Sequence, residues 1–464
     1  MMNPLGADLD GELHTEENIL ARASSDFGRV VRGDPEAVIV PTSAGDVVTV
    51  VRHARRTGQP ITVRGAGHSQ GGQSLARGGI VVDTRRLDTI EPVDEVNATV
   101  TVGAGLLWGA LVRQMAELGW LPPVLTDNPA VTVGGTLAAG GAGAASVRHG
   151  LQVRHCLAIE VVLGTGDLVW ASPDQNQELF HHVLGGLGQY GVVTRAALRL
   201  RRFRPHVHNV KVETGSIARF LDFARQLLER DQVDFLEGFA VPSMDTSGET
   251  PTLRHRYSLE FARQADDPET AALPEFARGL DLEPATDHPG GAADDEQHIE
   301  VTSWKTAEYM LRWESLLGGS RRPSDEELAH PWVEHFLPLD AAASYLEAIS
   351  PRFPSTLLLI WPLHGHRLGF PGLVLPDADH LCLVGILASV APEALDEQLR
   401  LLRDASELGI SLGGKRYLSG WLDFDEAHWR QHYGPGTCRL LGQLKERYDP
   451  DRVFRSIPFG SIQL

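Results

Sequence analysis

Two glycine-rich stretches are the first places where this sequence could do chemistry: Arg64-Gly-Ala-Gly-His-Ser-Gln-Gly-Gly-Gln73 and Thr132-Val-Gly-Gly-Thr-Leu-Ala-Ala-Gly-Gly-Ala-Gly143. Glycine lets backbone N–H groups approach an anion with no Cβ in the way, and successive N–H groups form a concave nest for a pyrophosphate. Neither stretch has the spacing of a dinucleotide turn, and Gly103-Ala-Gly105 fails it because the next glycine is Gly109. A nicotinamide cofactor on a Rossmann unit is not indicated, and composition alone leaves phosphate binding open. A lone histidine such as His68 in a glycine loop ordinarily bonds the backbone. Asp127 lies in Thr126-Asp-Asn-Pro129, a good turn in which an aspartate ordinarily makes a local backbone bond. Glu237 is more suggestive: in the strand expected at 235–239, period two sets it on one face with Phe235 and Phe239. A carboxylate buried among rings has its pKa raised, as suits an acid or a hydrogen-bonding partner; an outward face whose aromatics meet another element is the alternative.

Short β-rich runs alternating with amphipathic helices must position these loops. Strands are expected at 37–40, 61–64, 79–84 and 98–102. A helix begins at Ser43-Ala-Gly-Asp46, places Val47, Val50, Val51 and Ala54 on one face and stops at Gly58. A second helix follows at about 106–118, and Gly164-Thr-Gly-Asp167 joins the two arms of a hairpin over 157–172. From about Phe203 the blocks lengthen, which marks a domain boundary. The runs at 357–363 and 381–390 read as buried strands, and 424–448 as a helix ended by Asp449-Pro450.

At 464 residues the chain exceeds one ordinary core, so two domains are expected. The balance of 42 basic and 61 acidic residues, −19, has the wrong sign for gripping nucleic acid. Residues 266–296 hold ten acids and one base with four prolines and paired glycines, the signature of an exposed, partly mobile insertion. No apolar run reaches the ~18 residues of a membrane span. The N-terminal residues lack a secretory pattern, which suggests a cytoplasmic protein. Cys156, Cys382 and Cys438 are too few and too scattered for a disulfide framework or a cysteine-rich metal site, so no metal is expected.

Taken in order, the Arg64–Gln73 loop, Leu125-Thr-Asp-Asn-Pro-Ala-Val-Thr-Val-Gly-Gly-Thr-Leu137, Arg148-His-Gly150 and Leu184-Gly-Gly-Leu-Gly-Gln-Tyr-Gly-Val-Val-Thr-Arg195 resemble the flavin domain of the p-cresol methylhydroxylase and vanillyl-alcohol oxidase superfamily. Within it the likeness is greatest to cytokinin dehydrogenases. Phe235-Leu-Glu-Gly238, His330-Pro-Trp332, Trp361-Pro-Leu363, Lys415-Arg-Tyr-Leu418 and Arg447-Tyr-Asp-Pro450 extend it through the second half. The resemblance implies an α+β fold: a PCMH-type FAD-binding domain of two α+β subdomains, discontinuous over 1–202 and 416–464, and a substrate domain over 203–415 with a β-sheet flanked by helices. It implies FAD, tethered at its 8α-methyl to His68, and contacts at Gly65, Ala66, Gly67, Ser69, Gln73, Asp127, Thr132, Ala138, Ala142, Val193 and Tyr417. The cysteinyl tether of some members falls on Ala130. Where the family usually ends in a Pro-Gly-Gln turn this chain has Arg455-Ser-Ile-Pro-Phe-Gly-Ser461, and no contact is carried over there.

By the same resemblance Asp127 takes a proton from the substrate nitrogen and Glu237 assists it. Trp332, Glu334, Pro362 and Leu418 wall the substrate site, although core packing is the ordinary role of a tryptophan like Trp332. Leu125, Asn128 and Glu334 replace a tryptophan, a tyrosine and an asparagine of the family pattern, so pocket shape and charge have changed. The expected reaction is oxidation of a secondary amine C–N bond to an imine that water hydrolyses, with oxygen or a quinone-like acceptor reoxidising the flavin. Two rivals remain: an oxidase of an alcohol or specialised-metabolite intermediate, and a flavin-bound cyclase or binding protein without redox chemistry.

Overall fold

The computed structural model describes residues 3–245, 250–268, 273–280, 297–317 and 328–456. The first sheet has the order β1-β2-β4-β3, from β1 (Glu12–His14), β2 (Ala37–Val40), β3 (Ile61–Arg64) and β4 (Ile80–Asp83). β2, β4 and β3 run parallel, so β2 and β3 need a crossover, which the helix Ala44–Thr57 supplies. Ser43 and Asp46 close a capping box at its start, and Gly58 ends it with φ 73°. Val47, Val50, Val51 and Ala54 are all buried, as their spacing predicts.

The second sheet, β5-β8-β6-β7, is antiparallel and consists of β5 (Thr99–Gly103), β6 (Cys156–Leu163), β7 (Leu168–Ala171) and β8 (Gly191–Arg199). β6 and β7 form the expected hairpin. The third sheet is larger and wholly antiparallel. It takes β9 (His206–Thr214), β10 (Phe235–Asp245), β11 (Thr252–Ala265), β12 (His298–Lys305), β13 (Val333–Pro338), β14 (Leu357–His364), β15 (His380–Leu387) and β16 (Lys415–Arg416), in the order β12-β9-β11-β10-β14-β15-β13-β16. Helices Ile217–Arg230, Leu339–Ile349 and Leu395–Ser411 cover one face: Phe220 sits against Gly238, and Tyr345 and Gly409 against His335. The other face is left for the cavity described below. β16 straddles the expected division at 415/416.

The expected C-terminal helix, Glu426–Tyr448, is broken at Gly434 (φ 78°), because Pro435 lacks the N–H that an unbroken helix needs. The acidic insertion falls mostly outside the described residues. Within its described parts, 266–268 and 273–280, it is not wholly exposed: Phe276 is buried and meets Phe261 edge-on at 6.1 Å. Among the described residues no helix is long and apolar enough to cross a membrane, and no His/Cys/Asp/Glu group could hold a metal ion.

After its terminal helix the chain returns to the first sheet. Ile61 N–H donates to Val453 O at 2.7 Å, and Arg455 N–H to Ile61 O at 2.8 Å. Asp449, fully buried, fixes this return by accepting from the N–H groups of Val453 and Phe454 and from Lys445 Nζ at 2.7 Å. Lys445 Nζ also donates to Gln189 O and Phe454 O. Removing one partner of a buried pair leaves an uncompensated charge, so Asp449→Ala should lower stability by about 3–5 kcal/mol, read from urea unfolding.

Candidate active site

The Arg64–Gln73 loop leaves the end of β3 and is held from outside by residues 25–28. Phe27 N–H donates to Gly67 O, Gly28 N–H to Ser69 O, and Arg64 Nη2 to Ser25 O. Asp26 is buried and accepts from Ser69 Oγ and the N–H groups of Gly72 and Arg29, while burial raises its carboxyl pKa against those bonds. The Phe27 ring lies 4.2 Å from His68, 4.6 Å from His330 and 4.9 Å from Trp332, so one aromatic cluster grips the His68 side chain. Asn128 Nδ2 lies 3.4 Å from His68 Nδ1. Neither Asp26 nor Phe27 carried a sequence signal, since they lie in an aperiodic segment without a motif.

Held this way, the loop turns the backbone N–H groups of Ala66, Gly67 and Ser69 away from any protein acceptor among the described residues. Unsatisfied N–H groups in succession suit an anion. Close approach explains Gly65: a Cβ there would collide with Thr132 Oγ1, which caps the helix Val133–Ala139 by accepting from Gly135 N–H.

All the residues expected to touch cofactor or substrate, except Glu237 and Pro362, line a single cavity between the large sheet and the two small ones, with about 320 Å³ open to the centre of a water-sized sphere. His68 is its only histidine among the described residues. Several expected residues also build the wall. Gln73 Nε2 donates to Gly420 O at 2.7 Å, and Tyr417 OH accepts from Gly141 N–H at 2.9 Å. A register shift in β8 opposite Glu160 and Val161 re-aims the strand around Val193. The tail, to which no contact had been carried over, reaches the cavity with Arg455 and Ser456, and the Ser456 hydroxyl is buried without a partner among the described residues.

Pro362 is a correction. Alternation along β14 points Leu359 and Trp361 into the cavity and Pro362 to the opposite face, beside its β15 partner Cys382. The same parity brings in Leu383 and Leu387 of β15, which sequence reasoning missed although their strand was recognised.

Two carboxyl groups, of Asp127 and Glu334, line the cavity. In the Thr126–Pro129 turn, Asn128 Oδ1 accepts from Ala130 N–H and Thr126 Oγ1 donates to Asn128 O, so the neighbours satisfy the turn. Asp127 has no hydrogen-bond partner among the described residues, is half-buried and lines the cavity. Burial, then the nearby Glu237 charge, holds its carboxyl well above the usual range, with Arg312 opposing. Glu334 also lines the cavity; burial raises its pKa while Ser419 Oγ, at 2.5 Å, opposes. Glu237 is the second correction: it is fully buried on the expected face with the two aromatics but does not reach the cavity. Its Oε1 accepts from Arg312 Nη2 at 2.5 Å and Trp313 Nε1 at 3.2 Å, and the Arg312 guanidinium lies 3.8 Å over the Tyr309 ring.

These features fit FAD: backbone donors for a pyrophosphate, an apolar wall for a flat ring system, and a histidine within the loop. Gly65→Ala should force the loop off Thr132 and lower flavin content several-fold, read as flavin absorbance per polypeptide after desalting.

Comparison with known proteins agrees. Residues 35–172 match the family described as FAD binding domain, and residues 307–456 the one described as cytokinin dehydrogenase 1, FAD and cytokinin binding. An uncharacterized oxidoreductase of the fasciation locus of Rhodococcoides fascians is 28% identical over 96% of this chain and 98% of its own. Cytokinin dehydrogenase 3 of Oryza sativa subsp. japonica is 31% identical, over 92% and 87% respectively. Cytokinin dehydrogenase 7 of the same plant is 30% identical, over 95% and 90%. Two solved structures share the fold: 6-hydroxy-D-nicotine oxidase of Arthrobacter nicotinovorans (TM-score 0.73, 22% identity, 98% of each chain) and BBE-like 1 of Physcomitrella patens (TM-score 0.76, 18% identity, 100% and 99%). Loop, cavity and full-length likeness agree that this chain belongs to the cytokinin dehydrogenase family of FAD-dependent oxidoreductases.

Proposed function

We propose that the chain oxidises the C–N bond of a secondary amine, of the class named in its cytokinin dehydrogenase relatives, to an imine that water hydrolyses. The observation that carries this reading is the Asp127 carboxyl, lining the cavity without a hydrogen-bond partner among the described residues while its turn is satisfied by Thr126 and Asn128. Bound FAD would accept the hydride, leaving the protein to manage the proton. Asp127 takes it from the substrate nitrogen, a role that requires the ionised carboxylate. Glu334 adds a second acidic group to the cavity lining, which suits a substrate bearing N–H donors. Trp332, Trp361 and Leu383 offer flat and apolar surface for the rest of the molecule. Oxygen or a quinone-like acceptor completes the cycle.

His68 is proposed as the covalent tether, supported by its place in the cavity wall and by the aromatic grip that fixes its ring. Acid precipitation should give a yellow pellet and a polypeptide mass increased by one flavin; a colourless pellet, or an unmodified mass, refutes the tether.

Because burial raises the Asp127 pKa, the base is lost as pH falls, so anaerobic flavin reduction by amine should slow towards acid pH. Asp127→Asn should keep bound flavin and reduce it at least about 100-fold more slowly, the usual scale for a lost general base. Full turnover in Asp127→Asn would sink the assignment, and bleaching by alcohols alone would favour the alcohol-oxidase reading.

A further inference from the structure

Glu237 and Glu260 are Cα partners on the antiparallel strands β10 and β11, with both side chains on the cavity side of the sheet. Partners on one face hold their Cβ atoms about 4.5–5.5 Å apart, and like charges so placed repel. Glu237 Oε1 is engaged twice, but Oε2 is buried with no hydrogen-bond partner among the described residues. Leaving a charged acceptor unsatisfied in the interior is costly. The ladder neighbour able to supply a donor is Glu260, in its protonated form.

We propose that Glu237 and Glu260 share one proton, donated by Glu260 to Glu237 Oε2, and that the charge of this pair governs the ionisation of Asp127. Glu260 is then a positioning residue for the amine oxidation proposed above. Only that catalytic half rests on the proposed function; the proton sharing rests on the sheet register and the unpartnered oxygen.

The surroundings support the pairing. Burial first, then the Glu237 charge, pushes the Glu260 carboxyl up to about 7, with Arg312 and Lys211 opposing. The charged and titratable groups acting on it come from every adjoining element: Glu237 on β10, Lys211 with its partner Glu213 on β9, Glu300 on β12, and Tyr309 and Arg312 from the segment after β12. Glu300, Lys211 and Glu260 are successive cross-strand partners, so with Glu237 they form a row from an exposed edge residue to the buried interior. The shared proton can thus equilibrate with solvent. Asp127 responds to both members, and more strongly to Glu237.

The signs follow from linkage. A carboxyl pKa raised from 4.5 to about 7 on folding stabilises the fold below the unfolded value, and that contribution is lost as pH rises through the folded one. Glutamine at 260 imitates the protonated form permanently, so Asp127 should ionise at lower pH.

The experiment compares the holoprotein with Glu260→Gln and Glu260→Asp in two measurements from about pH 5 to 9: melting temperature, and anaerobic flavin reduction by an amine. Glu260→Gln should flatten the fall of Tm with rising pH and move the acid limb of the reduction profile down by about one unit, the scale of one charge interaction in a protein interior. Glu260→Asp, still able to carry the proton, should keep the wild-type shape of both curves. An unchanged Tm slope in Glu260→Gln overturns the shared proton. A flattened slope with an unmoved acid limb overturns the coupling to Asp127. If no amine reduces the wild-type flavin, the proposed substrate class fails while the Tm slope still decides the proton sharing.

Discussion

Three carboxyl groups can gather along one side of the large sheet because a single guanidinium stands among them. Arg312 is held by Glu237 Oε1, Tyr309 O and the face of the Tyr309 ring, a setting that fixes its position and keeps it charged. Its charge opposes the rise of both the Asp127 and the Glu260 pKa. Breaking such a buried pair typically costs about 3–5 kcal/mol, enough to threaten a fold of ordinary stability. The site therefore lives with a tension: enough countercharge to tolerate the acids, not enough to make Asp127 an ordinary surface carboxylate.

The flavin side of the cavity follows a different logic, in which backbone matters more than side chains. The donors are N–H groups of Ala66, Gly67 and Ser69, and the work of the surrounding residues is to hold that backbone in shape. Asp26 ties two turns of the loop together, Phe27 presses on His68, and Thr132 admits only a glycine opposite it. Substitutions such as Ala138 and Ala142 sit comfortably in such a site, because they leave the backbone groups where they are.

Much of this was legible in the sequence because local periodicity carries it. Capping, the Gly58 stop, the 157–172 hairpin and the β14 and β15 runs all follow from patterns a few residues long. The errors came where a second element decides the outcome. Pro362 was expected to wall the site, but strand parity turns it away and brings its neighbour Trp361 in instead. Glu237 was read as an isolated buried acid because its countercharge lies 75 residues away in a segment with no motif. Asp26 and Ser456 reach the site only through tertiary contacts, so no local signal could have found them.

The return of the chain to β3 also bears on biosynthesis. Ile61 precedes the segment that covers it by almost four hundred residues, and among the described residues its free edge is bonded by Val453 and Arg455. During translation that edge stays open while almost four hundred further residues are added. The first sheet is therefore completed long after its strands are made, and the wall that Arg455 and Ser456 give the flavin cavity is absent from a nascent chain until those residues have emerged from the ribosome.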